Sequence, residues 1–153
     1  MIRVETEQHG AGEYPIEITI TSTRGDLIRR ILKNAAGEVF REWTYEYDGE
    51  GRCLSGVVMD VDHKVLSVIE NTFAQTGALL ESEARDPVSN IEIWRVSNTL
   101  NERCKIERTD YFAHGLKMGF SIPDNPEDEY SLNRYFNADG NEISHIPSSA
   151  DYE

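Results

Sequence analysis

Few residues in this chain are of the kinds that build metal, disulfide or membrane sites. Of 153 residues only Cys53 and Cys104 are cysteines. A disulfide framework or a zinc site needs paired spacings, so both thiols are expected to be reduced. His9, His63, His114 and His145 form no HxH or HExxH pair, and no Cys-His or Ser-His nucleophile is indicated, so neither a metal site nor a catalytic residue is expected. No stretch approaches the roughly 18 consecutive apolar residues of a membrane helix, and the start, Met1-Ile2-Arg3-Val4-Glu5-Thr6-Glu7, has no apolar export core. A cytoplasmic location and no membrane partner follow as expectations. No glycine-rich phosphate loop precedes a helix, and no motif calls for a cofactor.

Positive charge is scarce as well. Fifteen Lys and Arg stand against 28 Asp and Glu, a formal net charge of -13. That field repels nucleic acid and anionic lipid and attracts basic proteins. The basic residues are interleaved with acids, as in Arg41-Glu42 and Lys105-Ile106-Glu107-Arg108, which suits charge pairs across strands and argues against nucleic-acid binding. With 39% hydrophobic and 9% aromatic residues, the chain has enough apolar material for one domain, 1-153, with a polar lead over 1-13 and a flexible tail over 147-153.

What is abundant is a turn pattern. In Tyr45-Glu46-Tyr47-Asp48-Gly49-Glu50-Gly51-Arg52-Cys53-Leu54, two tyrosines at period two end a strand. Asp48 can bond its own backbone two residues on, Gly51 supplies a positive φ, and Leu54 opens the next apolar run. Asn34-Ala35-Ala36-Gly37 has the same plan. In that register the tips fall at Gly25, Gly37, Gly51, His63, Gly77, Asn90, about Asn101, Gly115 and Gly140, mostly Gly or Asn, with an acidic Pro-rich loop near Pro126 in the one wide gap. Tips at this spacing leave about eight residues per strand.

The runs between the tips are β-branched or aromatic, and Tyr14-Pro15-Ile16-Glu17-Ile18-Thr19-Ile20-Thr21 alternates strictly, as a half-buried edge strand would. Only Leu27–Lys33 and Val65–Phe73 offer competing helical spacing. The expected fold is all-β: an antiparallel meander of about 9–11 strands, curled or partly closed into a barrel, with little helix. With no amphipathic helix to cover it, such a sheet must curl, close or meet a partner.

Tyr45, Tyr47, Asp48, Gly51 and Arg52 resemble the Y-x-Y-D-x-x-G-R-L pattern of the YD-repeat (Rhs) family, with Cys53 in the usual Leu position and Leu54 one residue later. A degenerate copy is Tyr135-Phe136-Asn137-Ala138-Asp139-Gly140-Asn141-Glu142-Ile143, in which Asn137 replaces the Asp and Asn141 the Arg. The resemblance implies β-hairpins wound into a continuous sheet. It also implies the company of polymorphic toxins, whose loci encode small, often acidic immunity proteins; a chain of this length resembles a small freestanding member.

Several constellations reduce to turns on inspection. Asp60-Val61-Asp62-His63 offers metal-ligand types, but His63 sits at a tip. Asn137–Glu142 has its glycine fourth where a calcium loop needs it sixth, and Arg24-Gly25-Asp26 lies at a hairpin tip. The candidate partner-binding residues are acidic: Asp124, Glu127, Asp128 and Glu129 beside Tyr130, and Glu81 and Glu83 on one strand face, with Trp94 as a further aromatic anchor. The expected function is non-enzymatic, an immunity protein binding a cognate basic toxin. Two other readings stand beside it: a structural module that self-associates through sheet edges, and a small-molecule or carbohydrate-binding barrel with Trp43, Trp94 and the tyrosines lining a cleft.

Overall fold

The computed structural model describes residues 3–148. They form twelve strands: β1 (Arg3–His9), β2 (Ile16–Ser22), β3 (Leu27–Lys33), β4 (Val39–Tyr47), β5 (Cys53–Met59), β6 (Val65–Phe73), β7 (Leu79–Arg85), β8 (Glu92–Leu100), β9 (Ile106–Ala113), β10 (Leu116–Pro123), β11 (Asn133–Asn137) and β12 (Glu142–Ile143). They lie in one sheet in sequence order, an antiparallel meander that does not close. No helix occurs among the described residues. The two segments with helical spacing are strands β3 and β6. The chain divides into two compact units, Met1–Glu70 and Asn71–Glu153.

The meander is generated by one five-residue turn used seven times among the described residues, beginning at Ser22, Asn34, Asp48, Asp60, Ala74, Asn101 and Asn137. In each, the first N–H donates to the fifth carbonyl and the fourth N–H to the first carbonyl, as Asp48 N to Arg52 O at 2.9 Å and Gly51 N to Asp48 O at 3.2 Å. This is a type I turn followed by a left-handed residue that makes a β-bulge. The register shifts beside the turns at Glu46/Tyr47, Val58/Met59 and Thr99/Leu100 record those bulges.

Most first residues are Asx or Ser because their side-chain oxygen takes two further N–H groups: Asp48 Oδ1 accepts from Glu50 at 2.9 Å and from Arg52 at 3.0 Å. Asp60 and Asn137 do the same, so the metal-like and calcium-like stretches are two copies of this turn. In Arg24-Gly25-Asp26 the Arg24 guanidinium pairs with Asp26 at 2.9 Å.

Every regular element among the described residues is a strand of this sheet, so no separate layer covers either face. Burial is therefore partial and shared. In the first unit one face carries Ile16, Ile18, Ile20, Ile31, Val57 and Met59 around the buried Glu42, whose carboxylate accepts the Arg29 Nε–H. On the other face Arg30 binds Glu17 at 2.9 Å and lies 4.7 Å over the Trp43 ring. Tyr45, opposite Gly56, lays its ring over the glycine, 3.0 Å from where a Cβ would stand.

In the second unit the register places Ala84, Trp94, Val96, Tyr111, Ser121 and Tyr135 on one face, with Tyr111 Oη 3.1 Å from the buried Ser121 Oγ. The opposite face is a ladder of cations over rings: Arg95 lies 3.9 Å over Phe112, Arg108 lies 4.0 Å over Phe120, and Phe120 stacks on Phe136 at 4.8 Å. Long cationic stems covering aromatic faces substitute here for a second layer.

Three expectations change. The polar lead contains β1, which pairs with β2 over seven residues without a shift, so β2 is internal and Pro15 precedes it. The tip placed about Asn101 lies at Cys104, with φ 61°, because Asn101 is the first residue of its turn; Cys104 and Lys105 are turn residues, and β9 begins at Ile106. In the expected tail Pro147 is buried, so near to Gly119 that a Cβ there would lie 2.8 Å from the proline ring; residues 149–153 lie outside the described residues.

Candidate partner-binding surface

The acidic loop joins β10 to β11 and is held by its own backbone. Asp124 N donates to Leu132 O at 2.9 Å, closing it. Inside, Asn125 accepts Glu127 N at 3.1 Å through Oδ1, and Asp128 accepts Tyr130 N at 3.0 Å through Oδ1, two successive Asx turns. Ser131 Oγ takes Asn125 N at 2.8 Å. A loop ordered in this way loses little further conformational freedom on binding.

That order displays what the loop carries. Asp124, Glu127, Asp128 and Glu129 are exposed, and Tyr130 and Leu132 are 85% and 78% exposed. Asn101 Nδ2 donates to Glu127 Oε1 at 3.2 Å, fastening the loop to the turn between β8 and β9. The contact brings in two carboxylates that the sequence reading missed, Glu102 and Glu107, which line a cleft of about 540 Å³ with Glu127. Asp128 and Glu129 line a second cleft, of about 450 Å³, with Ile106, Pro123 and Pro126. The two cleft linings hold five carboxylates, with Arg103 and Lys105 as their cations. The signal for Glu102 and Glu107 was the Asn101 turn, had its first residue been told apart from its tip.

The remaining candidates lie elsewhere in the unit. Glu81 and Glu83 share a face of β7, but Glu83 pairs with Arg85, and Glu81 lies 3.7 Å from Arg95, which also binds Glu92 at 2.7 Å. Their charge is taken up in the ladder. Trp94 pairs with Ala84 and therefore points to the opposite face, where it lines a cleft of about 340 Å³ with Tyr111, Met118 and Pro147. Of the eight candidates, Asp124, Glu127, Asp128, Glu129 and Tyr130 come together.

Electrostatics elsewhere are those of paired structural groups. Partial burial raises the Asp110 carboxyl, but bonds from Lys117 and Arg108 outweigh it and hold the group below its ordinary range. Arg134 likewise lowers Glu142 through a two-point contact at 2.9 and 3.2 Å. Burial raises the Tyr45 and Tyr47 hydroxyls; both line a cleft of about 400 Å³ in the first unit, whose acids Asp26 and Asp48 are paired to Arg24 and Arg52. Among the described residues no group of three His, Cys, Asp or Glu is placed to hold a metal ion. No helix among them is long and apolar enough to cross a membrane. No protein-family model and no curated protein matches this chain.

Proposed function

We propose that the chain is an acidic, cytoplasmic, non-enzymatic binding protein, most concretely an immunity protein (antitoxin) that neutralises a basic protein toxin by covering its active or substrate-binding surface. The observation that carries the reading is the acidic loop: four exposed carboxylates around an exposed Tyr130, held in place by backbone bonds. Exposed aromatics within a charged rim suit protein recognition, the ring supplying affinity and the charge supplying encounter rate. The YD-like motif of Tyr45, Tyr47, Asp48, Gly51 and Arg52 motivates the toxin as partner, with the chain as a small freestanding relative of that family.

The test is capture from source cells with the tagged chain, followed by co-expression with whatever basic protein is recovered at fixed stoichiometry. Relief of that protein's toxicity supports the reading. Recovery of the chain alone, in concentration-dependent oligomers, would replace it with the self-associating module.

A further inference from the structure

We infer that the outer edge of β1 is a strand-addition site for an extended basic segment of another protein. This goes beyond the acidic loop of the second unit and requires neither that loop nor a toxin.

β1 stands at one end of the strand order, and all seven of its residues are exposed. One side pairs with β2 from Arg3↔Ser22 to His9↔Ile16 without a bulge, which leaves the alternate N–H and C=O groups of the other side as a template. Natural edges are blunted by shortness, proline, a bulge, charged side chains or a cover. The opposite end of the sheet is blunted by shortness, since β12 is two residues long, whereas β1 is a full strand whose one such device is its charge.

That charge chooses the occupant. Glu5 and Glu7 lie on one face beside Ile20 and Ile18, between Arg3 and His9, while Val4, Thr6 and Gln8 line the other. A second copy paired antiparallel about Thr6 would set each Glu5 against Glu7 of its partner, and one paired about Glu5 would set that carboxylate against itself, although Arg3 would then meet Glu7. Like charges directly opposite destabilise a pair of strands. A strand with Lys or Arg at the two positions facing Glu5 and Glu7 instead puts a cation opposite each carboxylate, with small β-branched residues beside Val4 and Thr6. The Glu7–His9 contact at 2.8 Å, between exposed side chains, yields readily to such a partner.

The probe is a terminally blocked peptide alternating Lys and Val, with one alternating Glu and Val as control, added to the isotope-labelled chain while amide exchange is followed by NMR. The expected result is slowed exchange at every second amide of β1 with the lysine peptide and none with the glutamate peptide. In the double variant E5K/E7K, whose substitutions are exposed and whose fold is checked by circular dichroism, affinity for the lysine peptide should fall by about an order of magnitude and the glutamate peptide should bind. Equal protection by both peptides, protection that survives the double variant, or shifts confined to the acidic loop would overturn the proposal. So would concentration-dependent protection of β1 without peptide, which would assign the edge to a second copy.

Discussion

At the fourth position of each five-residue turn the backbone must enter the left-handed region, and the side chain there decides what that requires. Gly51 meets it freely at φ 83°, whereas His63 and Cys104 hold φ 62° and 61° against contact between Cβ and backbone. Replacing Gly51 by Ala should lower stability by about 1 kcal/mol. Cys104→Gly should raise it by about 0.5 kcal/mol, the relief being offset in part by the freedom glycine adds to the unfolded chain. Urea midpoints at unchanged m-value measure both; a loss of stability in Cys104→Gly would show that the turn is not formed as described.

Asp48 adds a pH signature. The Arg52 N–H has the largest influence on its carboxyl; desolvation opposes, the Arg52 guanidinium and Glu50 N–H add to it, and the net is a carboxyl held below the ordinary aspartate range. A depressed folded value means that the unfolded chain binds more protons in the acid window. The stabilisation is thus present above the unfolded value and is lost as pH falls through the folded one. Asp48→Asn keeps the Oδ1 acceptor but does not titrate, so its stability should fall less steeply on acidification than that of the parent. Parallel acid curves for the two proteins would remove Asp48 from the account.

The elements were legible wherever turn chemistry or alternation marked them. Gly25, Gly37, Gly77 and Gly140 were found because a positive φ restricts the residue type, and β2 because Ile16, Ile18 and Ile20 alternate with polar residues. β1 was not legible, since a strand exposed on both faces needs no apolar period; Arg3–His9 reads as a polar lead until its backbone is seen to pair. Helical spacing in Leu27–Lys33 misleads because burial on two half-covered faces removes the usual period-two contrast.

Nor did the sequence mark Gly119 as a point of close approach. There β10 bulges between Lys117 and Gly119, Met118 is buried, and a Cβ at Gly119 would run into the Phe136 carbonyl and the Pro147 ring. Gly119→Ala should destabilise the second unit by about 3 kcal/mol, since neither a ladder carbonyl nor a buried ring retreats easily. Hydrogen exchange should show β10 and β11 opening first; a variant as stable as its parent would mean that Pro147 does not rest there.

Among the described residues, twelve strands and no separate layer make the two faces and the edges of the sheet the places where partners can add. Five of the eight candidate residues lie together because Asp124–Tyr130 is contiguous in sequence. Glu102 and Glu107 join only through the fold, by way of Asn101. Glu81 and Glu83 looked equivalent to the loop acids in sequence, but Glu83 pairs with Arg85 two residues on along β7, and strand pairing brings Arg95 of β8 beside Glu81. The net charge of -13 says that a field exists; the turns and ladders decide where it is free to act.

That claim is tested most directly by measuring association of the captured basic partner with the parent chain and with D124N/E127Q/D128N/E129Q, at low and high ionic strength. These amides keep the acceptor oxygens that order the loop, including those facing Asn101 and the Tyr130 N–H, and remove only the charge. The account expects the parent's association rate to fall steeply as salt shortens the screening length. The variant should associate about tenfold more slowly at low salt, with a much shallower dependence. Equal rates for the two proteins, or a parent rate indifferent to salt, would contradict the acidic loop as the recognition surface.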